Sequence, residues 1–387
     1  MKNQTLLILL FTTITTFAFG QFNPEKPDLC QGKFYTETQA VERHQAVSTL
    51  YNDKTEWEKR AKVIRQGILD GAEIKKISHK KPKNIVIHSR KLLNGYAVEN
   101  VSFESVKGIY VTGNLYTPLS NSGKTAAVLC PHGHGTDPRY KEYTQQRCAT
   151  LARMGAVVFA YDMVGQGDSK YCDHKIEKVL KLQLLNGIQI INFLTSLPYV
   201  DKNRIGITGE SGGGTQTFLL AAIDERIKVS VPVVMVSGHF FGGCNCESGM
   251  PVHKRPTHQT SNVEIAALVA PKPLLLVSDG DDWTKHTPEF EYPFIKRIYG
   301  FYDSEKNVEN MHFATEKHDY GVSKRMAAYP FLAKHLGLNL AAVMKDGKVD
   351  ESVNTVLTET DLKVFNETYP MPISAIKGNE NILKALK

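Results

Sequence analysis

A serine between small residues directly follows an apolar run, and this arrangement limits the local structure more strongly than any other feature of the chain. Residues 204–208 (RIGIT) are typical of a buried β-strand, and residues 209–213 (GESGG) come next. A serine on a sharp strand-to-helix turn needs strained backbone geometry, and small neighbours let other segments pass close to it. A helix N-cap would explain the serine but not the glycines on both sides. The pattern predicts an exposed nucleophile, Ser211, on an elbow between strand and helix.

Apolar strands alternate with helical patterns from residue 125 onward. The predicted strands lie at 126–130, 156–161, 204–208, 229–236 and 274–277. The helical patterns lie at 143–154, 176–197, 215–222, 263–269 and 323–335. Such alternation indicates an α/β fold with a mostly parallel central sheet and helices on both faces. A helical pattern at 36–74 and three alternating runs ending at Pro118 predict a helical and antiparallel β lead-in.

The first twenty residues have the pattern of a secretory signal peptide. Lys2 supplies a positive charge, an apolar core begins at Leu6, and residues 18–20 (AFG) resemble a cleavage site. The shortness of the apolar core disfavours the alternative of an uncleaved anchor. We predict cleavage before Gln21 and a periplasmic or secreted protein. The remaining chain divides into a predicted lead-in, catalytic domain and tail, at 21–104, 105–338 and 339–387.

The charge balance argues against a nucleic-acid partner. The chain carries a formal net charge of +7, and removal of Lys2 with the signal peptide leaves +6. The basic cluster at 75–83 has no interleaved aromatic residues and is typical of a solvated loop; at most it would favour an anionic polymer. No later segment is apolar enough to span a bilayer, so we expect no membrane attachment after cleavage. The sequence does not specify an oligomeric state.

Acyl transfer needs a base near the serine and donors for the developing oxyanion. The predicted base is His318, which precedes a Tyr-Gly pair and a helical pattern, whereas His312 follows a short strand-like run and is more typical of a structural residue. The loop at 130–135 (CPHGHG) follows a strand and is expected to face the elbow. The predicted oxyanion donors are the main-chain amide of Gly212 and one near Gly133 or His134.

The acid that orients the base is expected after the strand at 274–277. Three aspartates occur there within four residues, and we predict Asp282 because the turn ends at that position. Asp281 is the neighbouring alternative. If the aspartates only form the turn, Glu247 after the preceding strand is the remaining candidate. Trp283 is expected to shield the acid and the base from water.

A long loop at 239–253 lies between two predicted strands on the side of the elbow. Loops of this length often cover a substrate site, so His239 and Glu247, with Trp283, are predicted to contact substrate. The loop also contains Cys244 and Cys246 among histidines. With no second pair at metal-ligand spacing, and in an exported chain, this pattern favours disulfides or free thiols.

Metal chemistry is not expected elsewhere in the sequence. His132 and His134 form a pair, but no third and fourth ligands stand at metal spacing. Six cysteines in a chain of this length do not make a disulfide framework, although one or two disulfides are compatible with export. We therefore predict that the protein has no metal and no cofactor.

In this order, the motifs resemble those of the α/β-hydrolase superfamily over about residues 105–336. Similarity to the bacterial acetyl-xylan-esterase-like carbohydrate esterases is found at 131–135 (PHGHG), 161–165 (YDMVG), 209–214 (GESGGG) and 318–321 (HDYG). The resemblance implies a Ser-Asp-His triad in that chain order and no metal. It also implies an exported enzyme that removes ester groups from plant or algal polysaccharides.

Glucuronoyl esterases of the same superfamily can place a glutamate after the earlier strand, which keeps Glu247 open as the acid. Their usual arginine next to the serine is absent here, because Glu210 precedes Ser211 and Gly212 follows it.

The resulting hypothesis is an exported serine esterase that deacetylates a substituted polysaccharide or oligosaccharide through an acyl-enzyme. One alternative is a pectin or uronate methyl esterase, or a glucuronoyl esterase. Others are an α/β-hydrolase peptidase and, from a different class, a non-catalytic carbohydrate-binding protein.

Overall fold

The computed structural model describes residues 29–120, 123–136 and 139–387. The predicted signal peptide, residues 1–20, lies outside the described residues. Within the described ranges, no helix is both long enough and apolar enough to cross a bilayer.

A central sheet of nine strands forms the middle layer of the described chain, with two short ribbons outside it. The strands are β1 (Lys83–Leu92), β2 (Tyr96–Val106), β3 (Ile109–Pro118), β4 (Thr125–Cys130), β5 (Val157–Tyr161), β6 (Val200–Glu210), β7 (Ile227–Val233), β8 (Lys254–Arg255), β9 (His258–Gln259), β10 (Leu274–Asp279), β11 (Val308–Phe313), β12 (Met344–Lys345) and β13 (Lys348–Val349). The order in the large sheet is β1-β2-β3-β5-β4-β6-β7-β10-β11. Its first three strands are antiparallel, and the six from β5 to β11 run parallel.

Helices cover both faces of the sheet. They are α1 (Glu37–Ser48), α2 (Lys54–Gly71), α3 (Glu142–Arg153), α4 (Val179–Ser196), α5 (Gly212–Ile223), α6 (Asn245–Ser248), α7 (Asn262–Ala267), α8 (Glu291–Gly300), α9 (Val322–Leu336), α10 (Glu359–Leu362) and α11 (Asn379–Ala385). Buried side chains of α2, α4, α5, α7 and α8 share one core with one face of the sheet. Those of α3 and α9 form a second core on the other face. The prediction of a mostly parallel sheet with helices on both faces is confirmed.

The lead-in is continuous with the parallel part of the central sheet. β1 to β3 form the predicted antiparallel meander, and β3 pairs with β5, so the expected boundary after Glu104 falls inside β2. The helical pattern at 36–74 forms two helices because each has its own cap. Thr36 Oγ1 accepts the Gln39 amide at 3.1 Å, and Asp53 Oδ1 accepts the Glu56 amide at 2.9 Å.

The C-terminal tail, residues 339–387, packs back onto the body of the molecule. The side chain of Leu362 is fully buried, and its carbonyl accepts hydrogen bonds from Arg139 and Asn114, at 2.9 and 3.0 Å. Near the end of the chain, Lys181 of α4 donates to the carbonyl of Leu386 at 2.5 Å. These contacts, with others such as those from Tyr96 to Thr355 and from Arg325 to Glu351, tie the tail to elements that lie far from it in sequence.

Candidate active site

Ser211 occupies a strained position between β6 and α5. Its φ is 56° and its ψ is −123°, a region that residues other than glycine rarely adopt. The glycines around it allow near contact with the loop after β4: a Cβ added at Gly209 or Gly213 would lie 2.4 or 2.7 Å from the carbonyl oxygen of Pro131. This geometry is that of a nucleophile elbow.

A buried ion pair supports the elbow from behind. Glu210, the residue before the serine, accepts from Arg147 of α3 at 3.2 Å, and both side chains are almost fully buried. Tyr143 donates to the same carboxylate at 3.2 Å. Arg147 also lies over the ring of Tyr320, 4.3 Å from its centre. Glu210 thus lies directly before Ser211 in the sequence, and its buried carboxylate is turned toward α3.

His318 and Asp282 form a close pair at the ends of β11 and β10. Nδ1 of His318 lies 2.5 Å from Oδ2 of Asp282, whose side chain is only 3% exposed. The other carboxylate oxygen accepts both the amide and the hydroxyl of Thr284 at 2.6 Å. Because a carboxylate only accepts, Nδ1 carries the hydrogen and Nε2 of His318 carries the lone pair. The His318 side chain is 31% exposed, so Nε2 can meet a substrate.

The two alternative acids lie elsewhere. The amide of Asp281 donates to Asp279 at 3.2 Å, which places Asp281 within the turn. Glu247 is buried, and it accepts the amide of Cys244 at 2.9 Å as part of the cap of α6. Burial raises the pKa of Glu247. Within the described residues, neither alternative is hydrogen-bonded to His318.

Two side chains that follow His318, those of Tyr320 and Lys324, anchor its loop to the sheet. The hydroxyl of Tyr320 lies 2.7 Å from Oγ1 of Thr208 on β6, three residues before the elbow serine. Lys324 is fully buried and lies 3.0 Å from carboxylate oxygens of both Asp279 and Asp319.

Over the described ranges no hydrogen bond joins Ser211 Oγ to His318, a contact that often forms only when substrate binds.

The predicted oxyanion donors are not equivalent. The amide of Gly133 donates to Glu210 Oε1 at 2.9 Å, so it is occupied. In the part of the chain that the structure describes, the amides of Gly212 and His134 donate to no protein acceptor. Gly212 is also the first residue of α5, whose N-terminal end favours negative charge. Gly212 and His134 are therefore the better placed pair, and Gly133 serves to hold the loop.

Comparisons with known proteins give matches over parts of the chain and, in one case, over most of it. A family model described as acetyl xylan esterase (AXE1) matches residues 180–241. Among curated proteins, YcjY of Escherichia coli is 34% identical over 122 residues, which make up 30% of this chain and 38% of that protein. The matches to three curated relatives cover only 36% to 47% of the relatives' own lengths.

A solved structure gives a much broader match. The chain is similar to methylesterase BT1017, with 39% sequence identity, a TM-score of 0.85, and coverage of 91% of this chain and 79% of that one. The chain belongs to the carbohydrate esterases of the α/β-hydrolase superfamily. A glucuronoyl esterase from Solibacter usitatus shares this fold, with a TM-score of 0.52, 15% identity, and coverage of 73% of this chain and 94% of that one.

Of the predicted substrate-binding residues of this esterase, Trp283 contacts His318 directly and His239 lies farther away. Trp283 packs against His318, with ring centres 4.7 Å apart, and stacks on Phe240 of the long loop at 3.9 Å. Beyond this pair, His239 lines a cavity of about 480 Å³ together with His286 and Phe290. Trp283 therefore lies beside His318 and His239 lines the neighbouring cavity, whereas Glu247 is buried in the protein.

The structure brings together cysteines and histidines that the sequence spacing did not connect. His134 has three further candidate ligands beside it, because His174, Cys244 and Cys246 offer donor atoms that all lie within 4.8 Å of one another. The pKa of the Cys244 thiol is lowered to about 2, most strongly by its hydrogen bond with Cys246 and further by the two histidines. Sequence spacing missed this cluster because its members come from three loops. The sequence shows His132 with His134, Cys172 with His174 and Cys244 with Cys246 as three separate pairs, and no spacing relates one pair to another.

Proposed function

We propose that this protein is an exported serine esterase that hydrolyses carboxylic esters on a polysaccharide through an acyl-enzyme. One observation carries the proposal: the strained Ser211 and the paired His318 and Asp282 stand at the same edge of the parallel sheet, at the ends of β6, β11 and β10. The carboxyl ends of parallel strands are where such folds place their reacting groups. The residues 1–20 support export.

The reaction follows from these positions. Nε2 of His318 takes the proton of Ser211 Oγ as the oxygen forms a bond to the ester carbonyl carbon. The Gly212 and His134 amides donate to the oxyanion. The tetrahedral adduct then loses its alcohol, which receives the proton from His318. A water molecule gives its proton to His318 and attacks the acyl-enzyme, and the acid is released with Ser211 restored.

The ester itself is proposed from the relatives. Sequence motifs alone favoured acetate release, but the 39% identity is to a methylesterase, which favours a methyl ester of a uronate-containing polysaccharide. In that case the sugar carries the acyl group and methanol leaves first. Trp283 and Phe240, stacked beside His318, offer an aromatic surface for a sugar ring.

The test is a comparison of three substrates. Purified chain is incubated with methylated pectin, acetylated xylan and a glucuronoyl ester, and the released methanol, acetate and larger alcohol are measured separately. We expect methanol release to exceed the other two, and Ser211→Ala to lose at least about 10⁴-fold in kcat. If acetate is released faster than methanol, the substrate is an acetyl ester and not a methyl ester. Undiminished turnover by Ser211→Ala, or glycan binding with no turnover on any ester, would contradict the proposal.

A further inference from the structure

We propose that His134, His174, Cys244 and Cys246 form a tetrahedral binding site for a zinc ion beside the elbow. Two thiolates and two imidazoles are a donor set that Zn²⁺ prefers, and four protein ligands leave no open position. The site is thus a structural one, and its four ligand side chains are separate from the side chains of Ser211, His318 and Asp282.

The distances fit such a site. Nε2 of His134 lies 3.0 Å from Nε2 of His174 and 3.2 Å from Sγ of Cys246. Zinc bonds of about 2.0–2.3 Å separate tetrahedral ligands by roughly 3.3–3.8 Å, so these two pairs would move apart by a few tenths of an ångström. All four donor atoms lie within 4.8 Å of one another, so the pairs that are farther apart would approach by about 1 Å.

Hydrogen bonds orient the His174 ring and hold the cysteine segment beside it. Nδ1 of His174 lies 2.5 Å from the carbonyl oxygen of Val164 and must donate to it, which leaves the lone pair on Nε2 toward the cluster. Between the two cysteines, Asn245 donates to the carbonyl of Lys175 at 2.7 Å. This bond fixes the cysteine segment against the segment that carries His174.

The proposed ion would connect three loops that are remote in sequence. His134 follows β4, His174 lies between β5 and α4, and the cysteines lie in the loop after β7. His134 also packs against the elbow, because a Cβ added at Gly212 would lie 2.7 Å from its ring. Zinc binding at His134 would therefore hold the loop that carries a proposed oxyanion donor. This consequence for catalysis rests on the proposed function; the metal site itself does not.

The first measurement is the metal content of the full chain, purified without chelator and without a metal-affinity step. We expect one zinc per chain by elemental mass spectrometry. Replacement by Co²⁺ should give the visible bands of a tetrahedral site with thiolate charge transfer. This spectrum needs no variant and is independent of any effect of mutation on folding. A metal-free chain that also gives no such spectrum, or a disulfide between Cys244 and Cys246 in freshly purified protein, would overturn the proposal.

Matched variants assign the ligands. Cys244→Ser and Cys246→Ser should each lower bound zinc at least about tenfold and reduce the temperature of unfolding. Cys172→Ser, two residues from His174 but outside the cluster, should keep its zinc. Ser211→Ala should also keep its zinc while losing hydrolysis, which separates failure of this proposal from failure of the proposed function. Equal zinc content in Cys244→Ser and Cys172→Ser would contradict the site.

Discussion

Ser211 holds a backbone conformation that costs about 1–3 kcal/mol in an ordinary residue. With φ at 56°, its N–H still donates to Val233 on β7 at 3.1 Å, and its carbonyl accepts from Thr215 in α5 at 3.0 Å. The neighbouring strand and helix therefore fix the strained turn. The strain turns the hydroxyl out of the sheet, where a substrate can reach it.

At the acid position, Asp282→Asn should lower kcat by about 10⁴-fold, because an amide can donate to Nδ1 and would favour the wrong tautomer of His318. Asp281→Asn and Glu247→Gln should lose less than about tenfold, since neither is hydrogen-bonded to His318 in the described structure. Steady-state kinetics on one ester, with circular dichroism as the check on folding, compares the three variants. A larger loss of kcat in Glu247→Gln than in Asp282→Asn would contradict the assignment of Asp282 as the acid.

His132 should make the protein sensitive to acid. Burial is the largest influence on its ring and lowers its pKa from 6.5 to about 4. Its Nδ1 donates to Gly133 at 2.8 Å, and its Nε2 accepts from the Met163 amide. Between pH 6.5 and 4 the unfolded chain binds a proton that the folded chain does not, so stability is full above 6.5 and falls as pH drops.

The free energy of unfolding should therefore fall by up to about 3 kcal/mol more in the wild-type chain than in His132→Gln as pH drops from 6.5 to 4. Urea unfolding at a series of pH values measures both slopes. Parallel curves for the two proteins would show that this ring does not carry the effect.

The elbow packs closely against the loop after β4, so a change in one element is expected to displace the other. A Cβ added at Gly213 would lie 2.7 Å from the Pro131 carbonyl oxygen and 2.8 Å from that of His132. Gly213→Ala should thus push this loop away, destabilise the fold by about 1–3 kcal/mol and lower kcat. The control is Gly243→Ala, whose added Cβ would have no neighbour closer than 4.0 Å. Thermal unfolding measures the stability of the two variants. Equal unfolding temperatures would contradict tight packing at Gly213.

The strands, the helices and the pairing of His318 with Asp282 were predictable from the sequence, whereas the cluster of His134, His174, Cys244 and Cys246 was not. Apolar runs such as β4 and β10 are buried on both faces, so their sequence alone indicates parallel strands. Asp282 was predictable because it ends the turn after such a strand. The bond from Gly133 to Glu210 was not, because it depends on how two loops approach each other. The same holds for His134 and His174, which are 40 positions apart.

For the molecule as a whole, the tail is an integral part of the fold. Leu362 is fully buried, so Leu362→Ala should destabilise the protein by about 2–5 kcal/mol. Ile373 lies in the same tail but is fully exposed, and Ile373→Ala should change stability by less than about 0.5 kcal/mol. Chemical unfolding of both variants is the measurement. A tail that is only an appendage would give the same small effect at both positions.

The proposed function depends on Ser211 as the nucleophile and on His318 as the base that activates it. The most direct measurement is covalent labelling by a serine-directed fluorophosphonate, located by peptide mass spectrometry. We expect one adduct per chain, on Ser211, and a loss of ester hydrolysis in proportion to the labelled fraction. The adduct should be absent in Ser211→Ala and should form much more slowly in His318→Gln. Labelling at another residue, or full activity in the fully labelled protein, would contradict it.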